Sequence, residues 1–326
     1  MKNRKTVIAG SIIFLLLAAV ATGGIRYNKI QARETERNQF PVSTKEAVIL
    51  MEAAGTGKVQ AGNRENMRRL AIYKNGKPVF EIQKGPSENQ VDFEEWYLTA
   101  PYLSRQLVNV SDIYAFFEKY AAWTYIDYCE KPLFIESGLS VEEEFSDTGK
   151  MTFIMGKKNE NGNYYVKEKI TGKVYEMDSA MVETMTELKP ADFLMGIANL
   201  VYLTTIDGLK IHTKKTTASF VMETDSENNQ VYMQEGKQEE KDGFKDMYAS
   251  LLSITIQGEA GKKEKKGEPV LQLFFIRNTD KLKNVEISYY PYNQDFYLIV
   301  KDGQGEFLAE KEAVDKVIKE LDELCR

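Results

Sequence analysis

An aromatic strand, a glycine turn and an amphipathic helix follow one another in mid-chain, and the same succession closes the chain. The segment Tyr164-Tyr-Val-Lys-Glu-Lys-Ile-Thr-Gly172 lies over Phe296-Tyr-Leu-Ile-Val-Lys-Asp-Gly-Gln-Gly305 with one residue added in the turn. Beyond the turn, Ala180, Met181, Met185 and Leu188 fall on Ala313, Val314, Ile318 and Leu321. A period of two that switches to three and four, twice in the same order, predicts two related α+β units of about 120 residues each. The expected fold class is therefore α+β: two antiparallel-sheet-plus-helix units in tandem, after one N-terminal transmembrane helix. With 43% hydrophobic residues, a chain of 326 residues can bury a core in each unit. The expected boundaries are 1–25 for an anchor or signal, 26–44 for a polar linker, 45–190 for the first unit and 191–326 for the second.

Local signals fill in both units. Leu70, Ile72 and Tyr73, then Asn75-Gly76, then Val79, Phe80 and Ile82 read as a hairpin over 69–83, because Asn-Gly tolerates the positive φ of a two-residue turn. Trp96-Tyr97-Leu98 is a short extended segment ended by Pro101. Ile113, Phe116, Phe117, Tyr120 and Trp123 recur at helical spacing, predicting a helix over 109–126 with Ser111 as its N-cap. Strands follow at 151–155, 164–167 and 173–177, turned at Asn161-Gly162 and Thr171-Gly172, and Asp178-Ser179 opens a helix that stops before Pro190. The second half offers strands at 209–212, 219–223, 270–276, 285–290 and 296–300. Its helices fall at 244–252 and 313–324.

The N-terminus carries Lys2, Arg4 and Lys5 and then Val7–Ile25, an uncharged apolar run. Its length approaches the roughly 20 residues that cross a bilayer as a helix. The run reads as an uncleaved anchor in the lipid bilayer, although Ala19-Val20-Ala21 also has the small-x-small form that a signal peptidase cuts. Basic residues flank both sides, so charge bias orients it weakly. Signal-like behaviour of a first segment places the C-terminal region outside the cytoplasm, on a single-pass protein of the cell membrane.

Composition excludes several chemistries. A net charge of −6 argues against nucleic acid as a partner. One histidine, His212, and two cysteines, Cys129 and Cys325, cannot supply a multi-histidine metal site, a zinc knuckle or an iron–sulfur site within one chain. No metal or cofactor is expected. The cysteines read as two separately packed thiols, with a disulfide between Cys129 and Cys325 as the alternative. Gly55-Thr-Gly57-Lys58 fails as a phosphate loop, because Glu52 stands where a glycine is needed and Val59 where a hydroxyl is needed. His212 reads as a solvent-facing strand residue, Glu142-Glu143-Glu144 as a solvated acidic turn, and Lys262-Lys-Glu-Lys-Lys266 as a mobile hairpin loop.

The aromatic residues offer the sharpest candidate. Tyr289-Tyr290-Pro291-Tyr292 and Tyr164-Tyr165 place phenolic rings on strands, where neighbours alternate between core and surface. The outward members, Tyr165, Tyr290 and Tyr292, are the expected partner-binding aromatic face. No catalytic residues are identified.

The ordered set Glu95-Trp96-Tyr97-Leu98-Thr99-Ala100-Pro101, Ser137-Gly138-Leu139, Gly156, Tyr164-Tyr165-Val166 and Val174-Tyr175 resembles the domain-of-unknown-function 4340 family of bacterial membrane-anchored proteins. The resemblance covers most of the chain after about residue 45, with one departure: no proline follows Gly138-Leu139 closely. It supplies no catalytic residues. It implies an accessory role at a gliding-type ABC transporter, whose permease would be the partner. The expectation is thus a non-enzymatic, membrane-anchored extracytoplasmic interaction protein. Rivals are a protein binding a solute or envelope polymer, and a glycan hydrolase working through paired carboxylates.

Overall fold

The computed structural model describes residues 66–88, 93–121, 125–129, 133–146, 149–224, 230–234, 237–238, 241–261, 264–279 and 283–324. The apolar run Val7–Ile25, the linker 26–44, the Gly55–Lys58 segment, Lys262, Lys263 and Cys325 lie outside the described residues. Among the described residues no helix is long and apolar enough to cross a membrane. Among the described residues, 66–86 and 94–195 form one unit, and 196–324 form the other together with 87, 88 and 93.

The N-terminal unit runs β1 (Met67–Lys74), β2 (Lys77–Pro86), β3 (Glu94–Ala100), β4 (Gln106–Leu107), α1 (Val110–Ala121), β5 (Tyr125–Cys129), β6 (Glu136–Phe145), β7 (Gly149–Lys158), β8 (Tyr164–Glu168), β9 (Val174–Met177) and α2 (Ser179–Glu187). Its strands form one antiparallel sheet in the order β4-β3-β2-β1-β6-β7-β8-β9-β5. The C-terminal unit runs β10 (Ile206–Thr213), β11 (Thr217–Thr224), β12 (Gln230–Gln234), β13 (Lys237–Gln238), α3 (Lys241–Leu252), β14 (Gly258–Glu259), β15 (Leu271–Arg277), β16 (Asn284–Pro291), β17 (Phe296–Lys301), β18 (Gln304–Glu310) and α4 (Lys311–Leu324). Its sheet order, β13-β12-β11-β10-β15-β16-β17-β18-β14, is the same order strand for strand. The fold is α+β, with an antiparallel sheet and, among the described residues, two α-helices in each unit.

The local reasons are those of the residues. Asn75 and Gly76 take φ of 51° and 75°, the pair of left-handed positions that lets a two-residue turn follow the twist of β1 and β2. Asp178 accepts from the Ala180 amide at 2.8 Å and caps α2. On α1, Ile113, Phe116, Phe117 and Tyr120 are buried one to four residues apart. Phe116 meets Phe80 of β2 at 5.9 Å between ring centres, and Phe117 meets Trp96 of β3 edge-on at 5.3 Å. In the C-terminal unit, Phe244 of α3 stacks on Tyr232 of β12 at 4.3 Å and meets Phe220 of β11 at 5.1 Å. Each such ring removes enough apolar surface from water to contribute about 1.5–3 kcal/mol.

Three expectations are corrected. The first helix stops at Ala121 rather than at residue 126, because Tyr125–Cys129 pairs with β9 as an edge strand. Aromatic and β-branched residues there favour the pleated ladder, and the partner strand decides. Asn109, not Ser111, caps α1: its Oδ1 accepts from the Ser111 amide at 3.1 Å. The triplet Glu142-Glu143-Glu144 is no turn but part of β6, in the middle of the sheet between β1 and β7.

Candidate functional site

Each sheet has a face packed under helices and an outer face, and the candidate groups distribute between them. On the outer face of the C-terminal sheet, register brings Tyr290 opposite Leu298, and Leu298 opposite Leu308. Tyr290, Tyr292 and Leu308 pack against a small cluster of buried Ala260, Leu298 and Val300. Lys265, from the basic loop, sits 5.7 Å from the centre of the Tyr290 ring. The structure therefore brings Tyr290 and Tyr292 together, half-buried against their own chain, while Tyr289 is fully buried in the main core. Tyr165 belongs to the N-terminal unit, on β8 opposite Glu176 of β9, and is half-buried, as is its neighbour Tyr164. His212 is exposed on β10, with Nδ1 2.8 Å from the Thr217 hydroxyl.

A second feature crosses the C-terminal outer face. Met233, Val221, Gly208 and Ile276 stand opposite one another on β12, β11, β10 and β15, so their side chains share one surface. Val221 is 47% exposed and Ile276 36%. A Cβ on Gly208 would lie 3.3 Å from Ile276 Cδ1 and 3.4 Å from the Phe220 carbonyl, so the glycine lets Ile276 lie down over the strand. The corresponding row of the N-terminal sheet, counted from the same hairpin, is Tyr97, Gln83, Arg69, Glu144 and Lys150. One row is apolar and the other is polar.

That polar face is built around Arg69. Its guanidinium donates to Glu81 at 2.9 Å, to Tyr73 at 2.7 Å and to Glu142, while the Thr99 hydroxyl donates to Glu81 at 2.9 Å. Lys150 lies 3.4 Å from Glu144 and 3.9 Å from Glu142. Burial raises the Glu81 pKa, but the hydrogen bonds from Arg69 and Thr99 outweigh it and hold the carboxyl below its ordinary range. The guanidinium has both carboxylates as partners, so this cluster is an ion-pair network across four strands, β2, β1, β6 and β7.

Glu143 points the other way. Strand alternation carries it to the helix-packed side with Val141 and Phe145, and it is fully buried. Its register neighbours are Leu70 on β1 and Met151 on β7. The Tyr120 hydroxyl, in the last turn of α1, donates to Oε1, and Oε2 has no partner among the described residues. Burial pushes the carboxyl up to about 7, with the Tyr120 hydrogen bond opposing in part. The tyrosine itself is pushed well up by burial and by the adjoining carboxylate.

The C-terminal unit meets the same structural need with neutral groups. The Tyr289 hydroxyl donates to Asn199 Oδ1 at 2.6 Å, and Asn199 Nδ2 donates to the Leu251 carbonyl at 2.8 Å, in the last turn of α3. Sequence reasoning missed Glu143, because three successive glutamates read as solvated. The signal that finds it is the alternation Leu139, Val141, Glu143, Phe145, in which an acid occupies a core position. Among the described residues no group of His, Cys, Asp and Glu is arranged to hold a metal ion. Comparison of the chain with family models, with curated proteins and with solved structures found no match.

Proposed function

We propose that this chain is a non-enzymatic, membrane-anchored extracytoplasmic protein that serves as an interaction component of an ABC-type transport system. The observation that carries the reading is the apolar row of half-buried Met233 and exposed Val221 and Ile276, on a sheet whose counterpart row is polar. An outer sheet face that keeps branched apolar residues in water suits a protein contact better than a solvated wall. Val7–Ile25 anchors the chain, and the domain lies outside the cytoplasm. The anchor makes even a weak contact effectively intramolecular, which favours an accessory subunit over a free binder. The resemblance to the domain-of-unknown-function 4340 family supports a permease as the partner. The exposed edges of Tyr165, Tyr290 and Tyr292 extend the contact surface, and the two units descend from one duplicated ancestor.

The test is crosslinking in living cells, followed by mass spectrometry of what copurifies with the full-length chain. Intact cells are first treated with protease to locate the domain. An ABC-type permease captured by the wild type and lost in Val221→Lys/Ile276→Lys, with the domain digested from outside, is the expected result. Capture unaffected by the double change, and lost instead with Tyr165, Tyr290 and Tyr292 all changed to Ser, moves the contact to the tyrosines. A protected domain, or no membrane partner in several detergents, overturns the reading.

A further inference from the structure

The last turn of α1 is tied to its sheet through one hydroxyl and one fully buried carboxyl. We propose that Glu143 is a proton-operated latch: protonated, it lets α1 seat on the sheet, and loss of its proton loosens the C-terminal turn of that helix. The geometry carries the argument. A neutral carboxylic acid fits between Leu70 and Met151 with the Tyr120 hydroxyl on one oxygen. Among the described residues, a carboxylate in the same place has a single hydrogen-bond donor and an oxygen, Oε2, with none. Buried carboxylates are held in proteins by two or three donors or a cation, and among the described residues this one has a single donor and no cation.

The groups around the site leave the proton as the main variable. On α1, Tyr120 faces the carboxyl, while Glu118 and Lys119 point to solvent. On β6 itself, Glu142 and Glu144 lie on the opposite face with Arg69 and Lys150. The buried residues of α2 are Met181, Val182 and Met185, and its Glu183 pairs with Lys158 at the surface. A carboxyl titrating at about 7 in the folded unit, against about 4.5 in an exposed chain, loses its stabilising protonation across mildly acid to neutral pH. The released proton goes to solvent as the turn opens. The unit is tightest below pH about 4.5 and loosens as pH rises through about 7.

The experiment is hydrogen exchange by mass spectrometry on the detergent-solubilised full-length chain from pH 5 to pH 8, corrected for the intrinsic pH dependence of amide exchange. Protection of α1 amides is expected to fall about a hundredfold across that range in the wild type. Protection of α3, tied through the neutral Asn199, is expected to change less than about threefold. Glu143→Gln, which keeps an acceptor for Tyr120 and cannot ionise, removes the pH dependence. Tyr120→Phe moves the transition to higher pH, because the lost hydrogen bond was favouring the carboxylate. Equal pH dependence in wild type and Glu143→Gln overturns the proposal, as does wild-type α1 protection that does not change with pH. Should Glu143→Gln not fold, the infrared band of a buried carboxylic acid in the wild type decides. Its loss between pH 5 and 8 supports the latch, and its absence at pH 5 or persistence at pH 8 overturns it.

Discussion

Two helices occupy the same place in two sheets of identical strand order and are fastened differently. In the C-terminal unit the last turn of α3 is held by Asn199, which joins the Leu251 carbonyl to the Tyr289 hydroxyl, so that every group named has a partner. In the N-terminal unit the last turn of α1 is held by Tyr120 and Glu143, and one carboxyl oxygen is left over. The position of Glu143, opposite Leu70 on β1, corresponds to that of Phe275, opposite Leu209 on β10. A fold that accepts phenylalanine at this point does not need an acid there. The acid is a departure that costs stability, and such departures point to function sooner than to packing. The outer faces diverge in the opposite sense, charged around Arg69 and apolar around Gly208.

The equivalence of Glu143 and Phe275 can be broken most forcefully by exchange. Phe275→Glu buries a carboxyl without a tyrosine donor and removes a fully buried ring. The expected loss is about 4 kcal/mol or more, read by urea denaturation at neutral pH. A loss under about 1 kcal/mol would mean that the two positions are not equivalent. The neutral tie is tested next. Asn199→Ala strands the Tyr289 hydroxyl and the Leu251 carbonyl and should cost about 2–4 kcal/mol, at every pH between 5 and 8 alike.

The half-buried Glu81 and the fully buried Glu143 should also separate by the sign of their pH response. Glu81 is held below its ordinary range, so its contribution is present above about 4.5 and is lost as pH falls through its lower folded value. Glu143 acts oppositely and weakens the unit as pH rises toward about 7. Arg69→Met is expected to cost about 1–2 kcal/mol at pH 7, a cost that shrinks in acid as Glu81 takes up its proton. A cost independent of pH would show that Arg69 acts through packing alone. The smallest stability effect belongs to the apolar row. Val221→Lys/Ile276→Lys should change unfolding free energy by no more than about 0.5 kcal/mol, because the site is exposed. A larger loss would make the row part of the fold instead of a contact surface.

Much of this plan was legible from spacing. The Asn75-Gly76 hairpin, the α1 face of Ile113, Phe116, Phe117 and Tyr120, the Asp178 cap and the repeated strand–turn–helix all follow from local rules that act within a few residues. Legibility failed where a partner distant in the chain decides. Tyr125–Cys129 joins the sheet because β9 offers an edge, and Gln230–Gln234 because β11 does. The tyrosine candidates were half legible: alternation correctly sent Tyr289 inward, but nothing local placed Tyr290 and Tyr292 over Leu298 and Val300.

The sequence by itself determined the α+β class, the tandem repeat, the hairpin turns and the absence of cysteine and histidine in numbers that could make a metal site. Those depend on residue type and on periods of two and 3.6, which neighbours along the chain enforce. Only the tertiary structure decided which of three adjacent glutamates are paired on the outer face and which one is buried. In a strand the answer depends on register and on what packs above, and at Glu143 that is Tyr120, 23 residues away in the chain. The same register, read across four strands, set apolar side chains over Gly208 in one unit and an arginine with its carboxylates in the other.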